Sequence, residues 1–310
     1  MNKKPLVSIV IPVYNGDNYV REAIESALAQ SYENIEIVVV NDGSPDDGKT
    51  RNACMEYEGK IKYYEKENGG CSSAINYGIK HSEGEFISWL SHDDLYYPDK
   101  IEYQIGLYEK HNLDRNNTVI SNEGDVIDSE GKKVFHPSYG RKGYLSSVEG
   151  FKYLLFEKCF NGCGILIPKS LFEKGLYFRE DMRFVLDWNL WLKFAIAGAE
   201  FFVDGKVLVS NRRHSAQVTV KQKELHKKEA KETCEELFCI LKTAPVEYMK
   251  ALYSFCYSTN RAPKDEIKAY LKEKGIRVNR EKNAVAKLKV KARSILKYIY
   301  HTLRKHLSKE

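Results

Sequence analysis

The sequence predicts an α/β fold in which helices flank a mainly parallel sheet, with an all-helical C-terminal extension. Short apolar runs alternate with helical patterns through about the first 120 residues, which is typical of βαβ units. After residue 220, helical patterns follow one another and are separated by Pro245, Pro263 and Gly275. We therefore expect two domains, residues 1–220 and residues 221–310.

The elements of the first part follow from apolar periodicity and from short polar connections. Strands are predicted at Leu6–Val13, Ile35–Val40, Ile61–Glu65, Phe86–Leu90 and Val119–Ser121. Helices are predicted at Tyr19–Ala29, Lys49–Tyr57, Ser72–Lys80 and Pro98–Lys110. Because the connections are short, consecutive strands are expected to lie parallel and to be covered on both faces.

The rest of the chain is less regular. Residues 122–150 are polar and glycine-rich, and they predict hairpins or a long loop. Residues 151–220 return to mixed apolar segments, with a helix near Asp187–Ala197. Further helices are predicted at roughly residues 222–242, 246–258, 264–274 and 282–307.

Composition limits the class of protein. The chain has 310 residues, and no apolar run approaches the roughly 20 residues of a membrane-spanning helix. The N-terminus leads directly into the first strand, so we expect no signal peptide. Seven cysteines without framework or zinc-type spacing fit free thiols in a reducing compartment. A cytoplasmic location is therefore predicted.

The C-terminal segment is strongly basic. Residues 282–309 contain nine lysines and arginines and no acidic residue, whereas the whole chain has a net charge of +6. A stripe of apolar residues recurs there at helical spacing, through Val285, Leu288, Ala292, Leu296, Ile299, Leu303 and Leu307. This pattern predicts peripheral contact with an anionic membrane surface. Packing against the body or in a homodimer is the alternative, and no recognised nucleic-acid fold accompanies the charge.

The junction after the fourth predicted strand carries the first sign of chemistry. The run Phe86–Leu90 is followed by Ser91, His92, Asp93 and Asp94. Ligands of α/β proteins bind at the carboxyl ends of the strands. A hard divalent cation that bridges to phosphates needs carboxylates in such a position. The junction predicts a metal-dependent enzyme that acts on a nucleotide or another phosphate.

Three other junctions add candidate binding residues. Tyr14 follows the first strand, where its ring has either a base-stacking or a structural role. Asp42 ends the second strand and would either accept the N–H of a uracil ring or cap a turn. Asn68, Gly69 and Gly70 precede the third helix, and glycines permit close backbone approach to a ligand.

Taken together, these segments resemble glycosyltransferase family 2 over about residues 5–220. The matching segments are Val7–Asn15, Val40–Ser44, Asn68–Gly70 with Asn76, Leu90–Asp94, Leu186–Trp191 and Arg212–His214. The resemblance implies the GT-A fold, a Rossmann-like, mainly parallel mixed sheet. It also implies inverting, metal-dependent transfer of a sugar from a nucleotide-diphospho-sugar, UDP-linked, to a glycan, lipid-linked or protein-linked acceptor. Residues 122–180 would shape the acceptor pocket.

The resemblance also implies roles for individual residues. Asp42 would bind the base and Asp187 would be the general base that deprotonates the acceptor. Asp93 would hold Mg²⁺ or Mn²⁺ against the donor diphosphate. The other residues implied at the donor or the metal are Pro12, Tyr14, Asn68, Gly70, Asn76, His92, Asp94 and His214. From the residues alone, Asp94 serves equally well as a cap of the helix near Pro98, and Asp187 as a first-turn charge.

Two departures from the family pattern keep an alternative open. Ser91 stands where the family's metal motif usually has an additional Asp, and Ile75 stands where an Arg is common. The alternative is a sugar-nucleotide-binding or assembly subunit without catalysis. A nucleotidyltransferase is disfavoured because no Gly/Arg/Lys-rich phosphate loop follows the first strand.

Overall fold

The structure is a computed structural model that describes residues 4–137, 140–157, 159–214 and 223–277. By their internal contacts, the described residues divide into two compact units. The first contains those up to residue 154 and those from 159 to 226, and the second contains residues 155–157 and those from 227 onward. The predicted basic helix at 282–307 lies outside the described residues.

The first unit begins with the predicted alternation of strands and helices. Its elements are β1 (Val7–Val13), α1 (Val20–Leu28), β2 (Ile35–Asn41), α2 (Lys49–Met55), β3 (Lys62–Glu65), α3 (Cys71–Lys80), β4 (Phe86–Trp89), β5 (Leu95–Tyr96) and α4 (Lys100–Lys110). They continue as β6 (Thr118–Ile127), β7 (Lys133–Phe135), β8 (Gly143–Leu145), α5 (Ser147–Phe156), β9 (Ile165–Pro168), α6 (Lys169–Glu173), α7 (Leu186–Ile196) and β10 (Glu200–Arg212).

These strands form one mixed sheet in the order β3-β2-β1-β4-β9-β6-β10-β5, with β7 beside β6 and β8 beside β10. The pairs among β1 to β4 are parallel, and β6 pairs in parallel with β10. Strand β9 is antiparallel to both β4 and β6 and joins the two halves. Alternate residues of β1, among them Val7 and Ile9, pack in one core with Val20 and Ile24 of α1. The predicted fold class is confirmed.

Strand β6 is longer than the sequence predicted. All of its residues are buried, including those from 122 to 127, which we had assigned to hairpins or a loop. The polar residues of this run are buried because they have partners. The two nitrogens of His136 lie 2.8 Å from Glu123 Oε2 and 3.1 Å from Asp125 Oδ1, and Lys133 Nζ lies 2.7 Å from Asp125 Oδ2. The strand therefore hides carboxylates that a hydropathy pattern places in solvent.

The second unit contains helices among the described residues. Helix α8 (Lys223–Ile240) continues into it, followed by α9 (Val246–Thr259) and α10 (Lys264–Glu273). Buried apolar side chains such as Leu252, Ile267 and Leu271 form its interior. Within the described part of the chain, no helix is both long and apolar enough to cross a membrane.

Candidate active site

The loops after β1 and β2 are joined to each other at the carboxyl end of the sheet. Asn15 has a left-handed backbone (φ 49°), and its amide donates to Ser44 Oγ at 2.9 Å. The amide of the next residue, Gly16, donates to Thr50 Oγ1 at 3.0 Å. The side chain of Tyr14 is 44% exposed beside this fixed loop. An accessible aromatic ring therefore lies on a rigid support, while Pro12 is buried within β1.

Asp42 is buried at the end of β2, where the segment before α3 surrounds it. Its carboxylate accepts hydrogen bonds from Lys66 Nζ at 2.9 Å and from the amides of Gly69 and Gly70 at 3.0 and 2.7 Å. The side chain of Asn68 donates to the Asp42 carbonyl oxygen at 3.0 Å. These contacts fix the glycine-containing segment against Asp42. The role of Asp42 on a base stays a prediction.

The segment after β4 places His92 and Asp93 differently. His92 packs against Gly16, where an added Cβ would lie 2.6 Å from His92 Cδ2. Burial lowers the pKa of His92, which favours its neutral ring. Asp93 Oδ2 lies 3.1 Å from Nε2 of His214, whose ring lies 5.2 Å from that of Tyr19. The structure therefore brings together Asp93 and His214, which are distant in sequence.

Asp94 faces the protein interior. Its Oδ1 accepts the amide of Arg212 at 2.8 Å, and its Oδ2 accepts Asn211 Nδ2 at 2.9 Å and Cys163 Sγ at 3.0 Å. Burial, followed by the charge of Asp93, raises the pKa of Asp94 to about 7, and these hydrogen bonds oppose that rise. The interpretation of Asp94 as a helix cap is wrong, because its carboxylate bonds β10. The occupied oxygens also do not favour it as a metal ligand.

Arg212 holds in place the turn that contains Asp93 and Asp94. Its guanidinium is buried and donates to the carbonyl oxygens of Asp93 and Ser129, both at 3.0 Å, and to Glu22 Oε2 at 2.6 Å. The guanidinium carbon also lies 4.4 Å from the centre of the Tyr19 ring. Arg212 thus joins β10 to α1 and to the residue before Asp94.

Asp187 lies in the first turn of α7. Its Oδ1 accepts the amide of Trp188 at 2.7 Å, and its Oδ2 lies 3.5 Å from Cys159 Sγ. Burial raises the pKa of Asp187, although these hydrogen bonds act in the opposite direction. A carboxylate with a raised pKa is a stronger proton acceptor than an ordinary surface Asp.

Cys71 lies near several of these charged groups. The residue is exposed at the start of α3, yet crowding by the surrounding protein is the main cause that raises the pKa of its thiol to about 12. The charges of Asp42, Asp93 and Asp187 raise this pKa further, and Arg183 lowers it. We call the region around Cys71 the cleft. The cleft carries three carboxylates and one guanidinium around Cys71.

The side-chain amide of Asn76 bonds the segment before α7 and does not point into solvent. The side chain is buried, and its Nδ2 donates to the carbonyl oxygen of Phe178 at 2.8 Å and to Glu180 Oε1 at 3.1 Å. Its Oδ1 accepts the amide of Phe178 at 3.1 Å. Asn76 therefore fixes the segment that leads to Arg183, and its role at the donor stays a prediction.

Two residues of the cleft were not predicted from the sequence. Lys66 lies directly after β3, and its place at a strand end, two residues before Asn68, was a usable signal. Arg183 lies in an irregular segment without periodicity, so only the three-dimensional arrangement places it beside Gly70.

The ligating side chains of the cleft determine whether it fits a divalent cation. Among residues 4–137, 140–157, 159–214 and 223–277, no group of three or more His, Cys, Asp or Glu side chains is arranged to hold a metal ion. The 3.1 Å between Asp93 and His214 matches the roughly 3 Å between neighbouring ligand atoms of an octahedral ion with bonds of about 2.1 Å. The same distance is that of a hydrogen bond, so the pair would supply two ligands of an ion only by giving up that bond. Its imidazole favours Mn²⁺ over Mg²⁺, which prefers oxygen.

Comparison with known proteins gives a consistent family. The model described as Glycosyl transferase family 2 matches residues 8–167. An uncharacterized glycosyltransferase of Rickettsia typhi is 47% identical over 215 residues, which are 69% of this chain and 66% of that protein. One from Rickettsia felis is 47% identical over 213 residues, which are 69% of this chain and 35% of that protein. The chain thus spans between about a third and two thirds of these relatives.

A solved structure has the same fold. The crystal structure of S. aureus TarS 1-349 in complex with UDP-GlcNAc has a TM-score of 0.66 to this chain, with 18% sequence identity. The match covers 81% of this chain and 71% of the TarS chain.

Proposed function

The chain belongs to glycosyltransferase family 2, and from this premise we propose that it transfers a sugar from a UDP-linked donor to an acceptor hydroxyl with inversion. The observation that carries this proposal is the placement of three carboxylates: Asp42 follows β2, Asp93 follows β4 with its Oδ2 3.1 Å from His214 Nε2, and Asp187 lies in the first turn of α7. A fold shared with TarS, which was crystallised with UDP-GlcNAc, supports the choice of a UDP-sugar.

The donor would bind across the ends of β1, β2 and β4. The exposed ring of Tyr14 offers a stacking surface for the base, and Asp42 would accept an N–H of the base with its remaining lone pair. Asp93 and His214 would hold Mn²⁺ or Mg²⁺ beside the diphosphate. A cation bound there would supply Lewis-acid stabilisation of the leaving phosphate.

The acceptor would approach Asp187 from the opposite side of the sugar. Deprotonation of the attacking hydroxyl by Asp187 increases its nucleophilicity, and such general-base assistance contributes about 10²- to 10⁴-fold. Attack opposite the leaving diphosphate inverts the anomeric carbon, as in inverting glycosidases. Because burial raises the pKa of Asp187, activity should rise as the pH increases through that pKa.

A panel of UDP-sugars tests this proposal. The protein is incubated with each donor and Mn²⁺, and release of UDP and formation of glycosylated product are measured. The matched variants are Asp187→Asn and Asp181→Asn, since Asp181 is exposed and pairs with Arg179. Loss of turnover in the first variant alone supports the proposal. UDP binding without turnover of any donor would instead favour the non-catalytic sugar-nucleotide-binding subunit.

The acceptor and the site of action are a further part of the proposal. The basic, apolar-striped segment at residues 282–309 would bring the enzyme to an anionic membrane surface that presents a lipid-linked acceptor. Binding to anionic vesicles should weaken with salt, because screening reduces the attraction. If the full chain ignores such vesicles at low salt, packing on the body or homodimerisation through this segment is favoured.

A further inference from the structure

We propose that Arg183 binds the diphosphate of the sugar donor and supplies the positive charge that the leaving phosphate needs. This inference rests on the proposed function and assigns to its donor site a residue from the irregular segment before α7. Three observations carry it: the contact with Gly70, the rigid support of the segment, and the charge of the cleft.

The guanidinium of Arg183 lies directly on the backbone of Gly70. A Cβ added to Gly70 would be 2.1 Å from Arg183 Nη1, so only glycine leaves room for this contact. Gly70 also has a left-handed backbone with φ 89°. Its amide donates to Asp42 Oδ2 at 2.7 Å. Gly70 therefore contacts both the guanidinium of Arg183 and the carboxylate of Asp42 at the end of β2.

The segment that carries Arg183 is fixed on both sides. Five residues earlier, the backbone of Phe178 exchanges two hydrogen bonds with the amide of Asn76. The Phe178 ring packs edge-on against Trp89 and Trp191, each at 5.8 Å between ring centres. Three residues later, α7 begins. A cation held on such a support loses little additional freedom when it binds a ligand.

The charge of the cleft requires a cation for an anionic ligand. Asp42, Asp93 and Asp187 all act on Cys71 with negative charge, and they would repel a diphosphate. Arg183 acts on the same atom with positive charge. A guanidinium also matches phosphate oxygens in a bidentate manner, which an ammonium does not.

The position at which the family commonly has an Arg does not provide this charge. Ile75 is fully buried within α3 and packs in the interior. Arg183 therefore brings to the cleft, from a different segment, a positive charge that position 75 of α3 does not supply.

Binding of uridine, UMP and UDP by calorimetry with Mn²⁺ tests the inference. The variants are Arg183→Gln and the matched control Arg179→Gln, whose guanidinium lies four residues earlier and pairs with Asp181. We expect Arg183→Gln to weaken UDP binding about 10- to 100-fold, the range of a lost charge-assisted hydrogen bond, and to leave uridine binding within about twofold. Arg183→Lys should give an intermediate loss.

The outcomes separate this inference from the proposed function. If the unmodified protein binds neither UDP nor a UDP-sugar, the proposed function fails and Arg183 loses its ligand with it. If the unmodified protein binds UDP and Arg183→Gln binds it equally well, only the inference about Arg183 is overturned. Equal losses of uridine and UDP affinity would also overturn it, because they would indicate a structural role. Thermal unfolding of each variant confirms that it is folded.

Discussion

The two halves of the sheet are built in different ways. Strands β1 to β4 come from one continuous stretch of chain, pair in parallel and are filled with apolar side chains. Strands β5, β6, β9 and β10 pair in mixed directions and bury polar residues, including Asn122, Glu123, Asp125 and Ser210. Burial of carboxylates is tolerated only where partners neutralise them. The first half is therefore packed mainly through apolar side chains, whereas the second also buries carboxylates that are paired with Lys133 and His136.

The largest expected effect separates the two parts of the proposed reaction, donor binding and attack by the acceptor. In the proposed reaction, Asp93, after β4, would act on the donor, and Asp187, in α7, would act on the acceptor. Asp93→Asn should remove the Mn²⁺ dependence of UDP binding, because the carboxylate that would hold the cation is lost. Asp187→Asn should leave UDP affinity within about twofold and lower turnover about 10²- to 10⁴-fold. Calorimetry and a product assay measure the two effects.

The same measurements can contradict this division. If Asp187→Asn keeps most of its turnover, the general base lies elsewhere. If Asp93→Asn binds UDP with an unchanged response to Mn²⁺, the cation is not held by Asp93.

The next effect concerns the residue that joins the halves. Arg212→Met keeps most of the buried side-chain volume but removes the donors to the carbonyl oxygens of Asp93 and Ser129 and to Glu22. We expect the free energy of unfolding to fall by about 2–4 kcal/mol, because three part-buried hydrogen bonds of a charged donor are lost together. Urea unfolding measures it. The control Arg213→Met removes an exposed guanidinium and should change stability by about 0.5 kcal/mol or less.

A third pair of variants compares the forces that hold each half. Val39→Ala in β2 removes a fully buried side chain and should lower the free energy of unfolding by about 2–3 kcal/mol at any salt concentration. Asp125→Asn in β6 weakens the pairs with Lys133 and His136 and should lower it by about 1–3 kcal/mol. This second loss should shrink at high salt, because Lys133 is exposed. Equal salt responses would show that both halves rest on apolar packing.

The smallest effect lies at the boundary between the halves. Lys100 Nζ is buried and donates to Ser88 Oγ of β4 at 2.8 Å and to Gln104 Oε1 at 2.9 Å. Burial lowers the pKa of Lys100 to about 7, against about 10.4 in the unfolded chain. Between these values the unfolded chain binds a proton that the folded protein does not. The contribution of Lys100 to stability therefore increases as the pH rises above about 7 and is lost as the pH falls through it.

Comparison of the wild type with Lys100→Met isolates the pH-dependent contribution of Lys100 to the free energy of unfolding. The difference in free energy of unfolding should move in favour of the wild type by about 1–2 kcal/mol between about pH 7 and pH 9. Urea unfolding at the two pH values measures it. A difference that does not change with pH would mean that Lys100 keeps its proton inside the protein.

The extent of what the sequence could predict follows the same division. The bounds of β1, β2 and α4 were predicted to within about two residues, because apolar periodicity alone determines those elements. Strand β6 was cut short at residue 121, since its later carboxylates are stabilised by Lys133 and His136, which no local pattern reveals. At the candidate site, sequence order suggested Asp93 and His214, whose proximity the structure shows. The inward orientation of Asp94 depends on β10, so its interpretation as a helix cap failed.

The hydrogen bond from Arg212 to the carbonyl oxygen of Asp93 also has a consequence for folding during synthesis. Asp93 leaves the ribosome long before Arg212 and His214, and β10 must then insert between β6 and β5. A nascent chain that has completed only β1 to β4 therefore carries the Asp93 carboxylate without the Arg212 guanidinium or the His214 imidazole. The contact between Asp93 and His214 therefore forms late, as one of the last events in the folding of the first unit.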